Sequence, residues 1–219
     1  MKKLKIYGSP RSRTIRVLWM AHELKLEYEH IPTAIARLPE PTATEYFAPG
    51  ETHTPEFLEL NPNGRIPVID DGGTVVWESM AINLYLAIRY GRGSLWSANP
   101  AHQGHCLQWS FWAVTELEGP LMRYLLHTAF LPETKQNPEL ARTAEVELRR
   151  SLKILDQHLA NSEYLLGSEF SAADLNLASV LSWIRMAAFD LSELPNVGTW
   201  LRRCTDRPAY LKTAAMMRN

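Results

Sequence analysis

Over the first ninety residues, short strand-like apolar runs alternate with helical ones. Leu4 to Gly8 reads as a strand ended by Gly8-Ser9-Pro10. From Thr14 to Lys25 the repeat is helical, with Val17, Leu18, Ala21 and Leu24 on one face. Tyr28 to Pro32 reads as a second strand. Residues Thr33 to Thr54 are proline-rich without a clear period, which predicts an irregular connection holding at most a short helix. Glu56 to Leu60 is a helical turn before the turn signal Asn61-Pro62-Asn63-Gly64. Ile66 to Ile69 and Thr74 to Trp77 read as strands of a hairpin whose loop is Asp70-Asp71-Gly72-Gly73. A helix then opens at Ser79 and runs through Arg89.

After Tyr90 the texture changes. The stretch from Gly91 towards Pro100 reads as a linker, and all that follows is helical: Ala101 to His127, Glu139 to Ala160, Ser171 to Phe189, Val197 to Cys204 and Ala209 to Met217. Pro132, Pro138, Gly167, Pro195 and Pro208 mark the breaks, where helices are expected to stop. The organisation predicted is therefore an α/β domain over 1–90, a linker over 91–98 and an all-helical domain over 99–219.

Composition narrows the class of activity. The chain is 46% hydrophobic and 21% charged with a formal net charge of -1, and it has no polybasic run of the kind that binds nucleic acid or an anionic membrane. The opening MKKLKIYGSPRSR lacks the apolar stretch of a signal peptide, and charge interrupts every later apolar run, so neither secretion nor a membrane span is expected. Cys106 and Cys204 are the two cysteines, and no CxxC motif is present. A soluble cytoplasmic protein is expected, without a metal site and without a nucleic-acid or membrane partner.

Three places could carry chemistry. In Arg65-Ile66-Pro67-Val68 a proline starts a strand. With a cis bond it would present the N–H and C=O of Ile66 to a small peptide added as a further strand. A strand-initiating trans proline is the plainer reading of Pro67 alone. Next, Glu78-Ser79 stands at a helix start, where serine caps well and free N–H groups attract a carboxylate. Glu78 could receive an ammonium group, so the pair suits an amino-acid head bearing both charges. Taken alone, Ser79 reads as the cap of its own helix.

The third place is Ser9-Pro10-Arg11-Ser12-Arg13-Thr14, electropositive from two arginines and a helix start. Such surroundings favour thiolate over thiol. A thiol of pKa about 8.5 is only about 3% ionised at pH 7, and lowering it by about two pH units takes roughly 2.7 kcal/mol. One hydroxyl donor and a helix terminus are of that order. The competing reading is a solvated, arginine-rich turn.

The strings YGSPRSRTIRVLWMAHEL, NPNGRIPVIDDGGTVVWESMAINLYLA and FSAADLNLASVL, in that order, resemble the soluble glutathione transferase superfamily over essentially the whole chain. The resemblance implies an α+β thioredoxin-like N-terminal domain, an all-α C-terminal domain, a homodimer, and a site between the domains. Glutathione would be the co-substrate, its thiolate adding to a small apolar electrophile in detoxification. Ile66, before a presumed cis-Pro67, resembles the residue that pairs with the cysteinyl part of glutathione, and Glu78 and Ser79 the pair that holds its γ-glutamyl end. Arg65 stands where members use a polar side chain near the tripeptide. His53 looks like the basic residue that some classes aim at the glycyl carboxylate, and Arg13 is a further candidate beside the thiol. For the activating hydroxyl, Ser12, four residues before Arg16, matches the spacing of serine-type, theta- and phi-like bacterial members. Tyr7 and Ser9 are its rivals. No cysteine occupies this loop, against thiol exchange. The segment from Ile35 to Gly50 is longer than in typical members, and could cover or wall the glutathione site.

In the helical region, Ser171 and Asp174 read as a capping box, with Phe170 and Leu175 as its hydrophobic staple. Structural work is therefore expected of Asp174. Trp112, Tyr124 and His127 fall on the first long helix, which commonly lines the electrophile pocket in the family, although aromatics at this spacing also build cores. Met216 and Met217 could close that pocket or pack. The exposed sides of that helix and of the Glu78 helix are expected to meet a second copy. Two further readings stay open: a non-catalytic binding or interaction module with the same fold, and a glutathione-dependent isomerase, dehalogenase or peroxidase.

Overall fold

The strand β1 (Leu4–Tyr7) buries Leu4 and Ile6 on one face and lies at the centre of a four-stranded sheet of order β2-β1-β5-β6. It pairs in parallel with β2 (Tyr28–Ile31) and antiparallel with β5 (Val68–Asp71), which pairs antiparallel with β6 (Thr74–Trp77). The connection from β1 to β2 is the helix α1 (Thr14–Glu23), as a parallel pair requires. In this computed structural model the described residues are 3–37, 47–48, 50–187 and 189–218. Two compact units are formed, one by residues 1–90 with 209–219 and one by residues 91–208. The last helix, expected with the helical domain, thus groups with the first unit.

Several expectations change for physical reasons. Every residue of α1 from Thr14 to Ala21 is buried, because the helix packs on β1 and on α3 (Ser79–Tyr90) while its Trp19 meets Tyr210 edge-on at 4.8 Å. The apolar stripe expected there is a helix buried almost all round, and Leu24 is only half-buried. Within 33–54, β3 (Ala36–Arg37) pairs with β4 (Phe47–Ala48), and a 3-10 turn follows over Glu51–His53 before α2 (Pro55–Leu60). Most of the long 35–50 segment, and the covering role read for it, lies outside the described residues. In the hairpin, β5 runs on to Asp71, so the loop is Gly72-Gly73 alone, with φ of +67° and +104°. Asp70 Oδ1 accepts the Gly73 N–H at 2.6 Å and so closes the loop.

The second unit holds α4 (Pro100–Trp112), α5 (Glu118–Leu125), α6 (Pro138–Leu159), α7 (Ala172–Leu181) and α8 (Pro195–Thr205); α9 (Pro208–Ala215) completes the chain. Pro138, Pro195 and Pro208 begin their helices instead of ending the preceding ones, since a proline at the first helical position gives up only an N–H that would be unpaired anyway. The expected single helix over 101–127 is interrupted by π turns at Ala113–Leu117 and Leu126–Phe130. Pro120 accounts for the first: it cannot donate to the Glu116 carbonyl, and Ser151 Oγ of α6 donates there instead, at 3.2 Å.

Asp174 is fully buried and accepts from Leu165 N–H, Ser171 N–H, Ser171 Oγ and Trp200 Nε1 at 2.7–3.0 Å. Burial pushes its pKa up against the pull of those donors. The bonds to Ser171 form the capping box read from the sequence, and those to Leu165 and Trp200 further tie α7 to the loop before it and to α8. Among the described residues no helix is long and apolar enough to cross a membrane.

Candidate functional site

Gly8 closes β1 with φ +137°, its N–H bonded to the Ile31 carbonyl and its own carbonyl 2.8 Å from His30 Nε2. A Cβ on this residue would overlap the Thr14 hydroxyl oxygen and stand 3.1 Å from both Thr14 Cβ and Ile66 Cβ. Glycine is therefore required, by conformation and by space. It lets the start of α1 and the segment before β5, over fifty residues apart, meet at one point.

The loop from Ser9 to Arg13 leaves from that point. Ser12 is half-buried, and its Oγ accepts the Thr14 N–H at 3.1 Å, lies 2.9 Å from Thr14 Oγ1 and donates to the Ser9 carbonyl at 2.7 Å. Ser12 Oγ thus accepts one bond, from the Thr14 N–H, and its single proton is shared between the Ser9 carbonyl and the Thr14 hydroxyl. That proton can pass from the Ser9 carbonyl to a stronger acceptor. Ser9 Oγ is an acceptor for the Arg11 N–H at 3.3 Å. Arg11 Nε donates to the Met217 carbonyl at 3.0 Å, so the chain's end touches this loop through its backbone. Arg13 occupies the position before α1, with its carbonyl bonded to the Arg16 N–H. Tyr7 packs differently: its ring meets Phe57 edge-on at 6.4 Å and joins the cluster of Phe57, Ile66 and Val68.

The Ile66-Pro67 peptide bond is cis. The ladder to β1 begins at Val68, opposite Tyr7, so Ile66 stands just outside it. Arg65 is exposed, while its carbonyl accepts from Asn61 Nδ2 at 2.7 Å. Asn61 is buried and also accepts the Asn63 N–H at 3.0 Å, an Asx turn that fixes the approach to Arg65. The His53 imidazole lies directly on Gly64 (φ +59°), where a Cβ would come within 2.8 Å of the ring, and Nδ1 is 3.0 Å from Thr52 Oγ1. His53 thus abuts the same turn.

Glu78 is exposed and has φ +70°, an unusual conformation for a side chain of this size. Its carbonyl accepts the Ile82 N–H at 2.9 Å, so Glu78 and not Ser79 holds the capping position of α3. Ser79 is the first helical residue, is buried, and its Oγ accepts from Arg16 Nη1 at 3.3 Å. The reading of Ser79 as its own helix's cap is thereby replaced. The first unit brings together the loop 9–13, Ile66-Pro67 and Ser79, through contacts made by Gly8, Thr14 and Arg16.

Sequence reasoning missed Gly8, Asn61 and Arg16 as parts of the site. Arg16 carried a signal, as a lone charge in the otherwise apolar string IRVLWMA. Asn61 carried another, in the Asx-turn tetrad that precedes Arg65.

The aromatic candidates of the second unit have separate neighbours. Trp112 meets Trp109 edge-on at 5.3 Å, and the Trp109 and His158 rings meet at a tilt, 4.7 Å apart. Tyr124 meets Phe189 edge-on at 5.3 Å, while His127 Nδ1 accepts the Asn137 N–H at 3.3 Å. Trp112 stands twelve residues from Tyr124, about 18 Å along a helix. A cleft of about 350 Å³ in this unit is lined by Trp96, Gln103, Cys106 and Phe170 among others, and by none of these candidates. Neither Cys106 nor Cys204 is in a disulfide, both are buried, and burial pushes Cys106 up to about 12.

Two family models match: glutathione S-transferase, N-terminal domain, over residues 9–88, and glutathione S-transferase, C-terminal domain, over residues 118–208. Similar curated proteins include glutathione S-transferase GstB of Escherichia coli K12, 29% identical over 94% of this chain and 95% of that protein. Glutathione S-transferase 3 of Zea mays is 31% identical over 98% and 95%. Elongation factor 1-gamma of Sus scrofa is 30% identical over 77% of this chain, which spans 39% of that protein. Among solved structures, a theta class glutathione S-transferase from Xanthomonas axonopodis pv. citri with glutathione bound superposes with a TM-score of 0.84, at 29% identity and 97% coverage of both chains.

Proposed function

Because the chain belongs to the glutathione S-transferase family, matching its N- and C-terminal domain models, we propose that it is a glutathione transferase in which Ser12 stabilises the glutathione thiolate for attack on small apolar electrophiles. The observation that carries this reading is the meeting at Gly8 of Thr14, which orients Ser12, with Ile66. Glutathione is the co-substrate. Its cysteinyl backbone pairs with Ile66 beside Pro67, its γ-glutamyl end lies at Glu78 and Ser79, and its glycyl end points toward His53 and Arg65. Arg13 adds positive charge near the sulfur.

Ser12 is favoured over Tyr7 by what each side chain already does. Ser12 is oriented by the Thr14 N–H and carries a proton that a thiolate can draw from the Ser9 carbonyl, whereas the Tyr7 ring is built into the Phe57 cluster. As a hydroxyl donor, Ser12 helps to hold the thiol deprotonated at neutral pH and takes no proton itself. The electrophile lies against the helical unit, for which Trp112, Tyr124 and His127 remain the proposed lining.

Calorimetry and the ultraviolet thiolate band test the reading together. Glutathione should bind at millimolar concentration or below. Ser12→Ala should move the bound thiol back toward its ordinary pKa of about 8.5 and slow turnover at neutral pH about tenfold to a hundredfold. Wild-type thiol pKa and turnover in Ser12→Ala, with loss of both in Tyr7→Phe, would hand the role to the tyrosine. Absence of glutathione binding would instead favour an interaction module, the reading supported by the likeness to elongation factor 1-gamma. A substrate panel separates transfer from isomerisation, dehalogenation and peroxide reduction.

A further inference from the structure

Resting on the glutathione reading of Glu78 and Ser79, we propose that Arg16 is a positioning residue for the γ-glutamyl carboxylate, acting through the Ser79 hydroxyl. Arg16 lies in α1 and is only 1% exposed, an uncommon place for a guanidinium, which is costly to bury. Its Nη1 donates to Ser79 Oγ at 3.3 Å, and Asn83 Nδ2 donates to the Arg16 carbonyl at 3.3 Å. Two bonds therefore run in opposite senses between α1 and the first turns of α3. They hold Ser79 in fixed relation to α1, the helix that the Ser12 loop enters.

The direction of the first bond decides what Ser79 can do. A guanidinium only donates, so Ser79 Oγ must accept from Arg16. The single hydroxyl proton is then left to point away from Arg16, and a hydroxyl accepting from a cation is a stronger donor in turn. The first-turn N–H groups of α3 lie at the same helix end. An anionic acceptor fits there, and the only anion at the γ-glutamyl end of glutathione is its α-carboxylate. The exposed Glu78 carboxylate next door suits the ammonium group on the same carbon. Arg16 thus selects the carboxylate without touching it, and it orders Ser79 before the ligand arrives.

Binding of two peptides to the full-length protein tests this: glutathione, and γ-aminobutyryl-cysteinyl-glycine, which differs only in lacking the α-carboxylate. Wild type should prefer glutathione. Arg16→Met should weaken glutathione binding about tenfold to a hundredfold, the range of a hydrogen bond to a charged group, and change binding of the decarboxylated peptide by less than about twofold. In a Ser79→Ala background, Arg16→Met should add nothing. Equal weakening of both peptides, or losses that multiply in the double variant, would overturn the proposal and leave Arg16 a purely structural residue. If Arg16→Met does not fold, Arg16→Lys and Arg16→Gln answer the same question: lysine should keep part of the preference for glutathione and glutamine lose it, and wild-type preference in Arg16→Gln would overturn it. Wild-type protein that binds neither peptide overturns the glutathione reading and this proposal with it. Binding by wild type with unselective Arg16 losses overturns this proposal alone.

Discussion

A single methyl group added at Gly8 would have nowhere to go. Thr14 on one side is β-branched and fully buried, Ile66 on the other belongs to the Phe57 cluster, and φ of +137° disfavours any side chain. Gly8→Ala is expected to cost about 2–4 kcal/mol in urea unfolding, and surviving protein should bind glutathione weakly because the loop and Ile66 are pushed apart. Asp174 makes the opposite case, of a residue with a catalytic look and a structural role. Its four donors converge on one carboxylate, and an amide cannot accept from all of them. Asp174→Asn should lower stability by about 2–4 kcal/mol in chemical denaturation while leaving the thiol pKa of bound glutathione unchanged. Asp174 was legible in the sequence because a capping box is local, its partners lying within a few residues. Gly8 was not, because what makes it indispensable is a contact with Ile66, fifty-eight positions away.

Helix α9 shows the same limit among whole elements. Its existence follows from the sequence, but its place does not, since the residues that hold it are read only in three dimensions. Tyr210 meets Trp19, and Thr213 Oγ1 lies 2.7 Å from His22 Nδ1, whose Nε2 is 2.9 Å from the Tyr28 hydroxyl. The Thr213 hydroxyl also donates to the Ala209 carbonyl at 2.7 Å, which leaves His22 to donate through Nδ1 and accept from Tyr28 through Nε2. That is the neutral ring. Burial, then the Lys212 ammonium on α9, lower the His22 pKa below its ordinary 6.5, while Tyr28 from β2 and Thr213 from α9 supply only hydroxyls. A base with a depressed folded pKa stabilises fully above its unfolded value and loses that contribution as pH falls through the folded one. Cooling of the unfolding midpoint between about pH 7 and pH 5 should therefore be steeper in wild type than in His22→Gln. Identical profiles would remove His22 as the source. The four strands of the main sheet and most helices were legible because their periods are local, whereas the short pair β3 and β4 lies in a segment whose sequence shows no period. The first π turn was not legible, because the carbonyl freed by Pro120 is satisfied by Ser151 from a different helix.

For the molecule as a whole, the proposed family reading includes a homodimer, and its test lies in the apolar groups left at the surface. On the first unit Val75 and Trp77, two apart on the edge strand β6 and so on one face, are 39% and 40% exposed. On the second unit Leu107 and Phe111, four apart on α4, are 38% and 58% exposed. Neither pair is needed by the core of its own unit, and fully burying such a side chain gains about 1.5–3 kcal/mol. In a two-fold dimer each substitution occurs twice, so a charge placed in the interface is felt twice. At micromolar concentration, sedimentation should give twice the 25.0 kDa of the chain. Trp77→Glu and Phe111→Glu should each shift it toward the monomer while sparing the far-ultraviolet helix signal. A mass of 25.0 kDa for the wild type would remove the homodimer from the reading. The candidate site would survive that result, because Ser12, Ile66, Pro67, Glu78 and Ser79 all stand within one unit of a single chain.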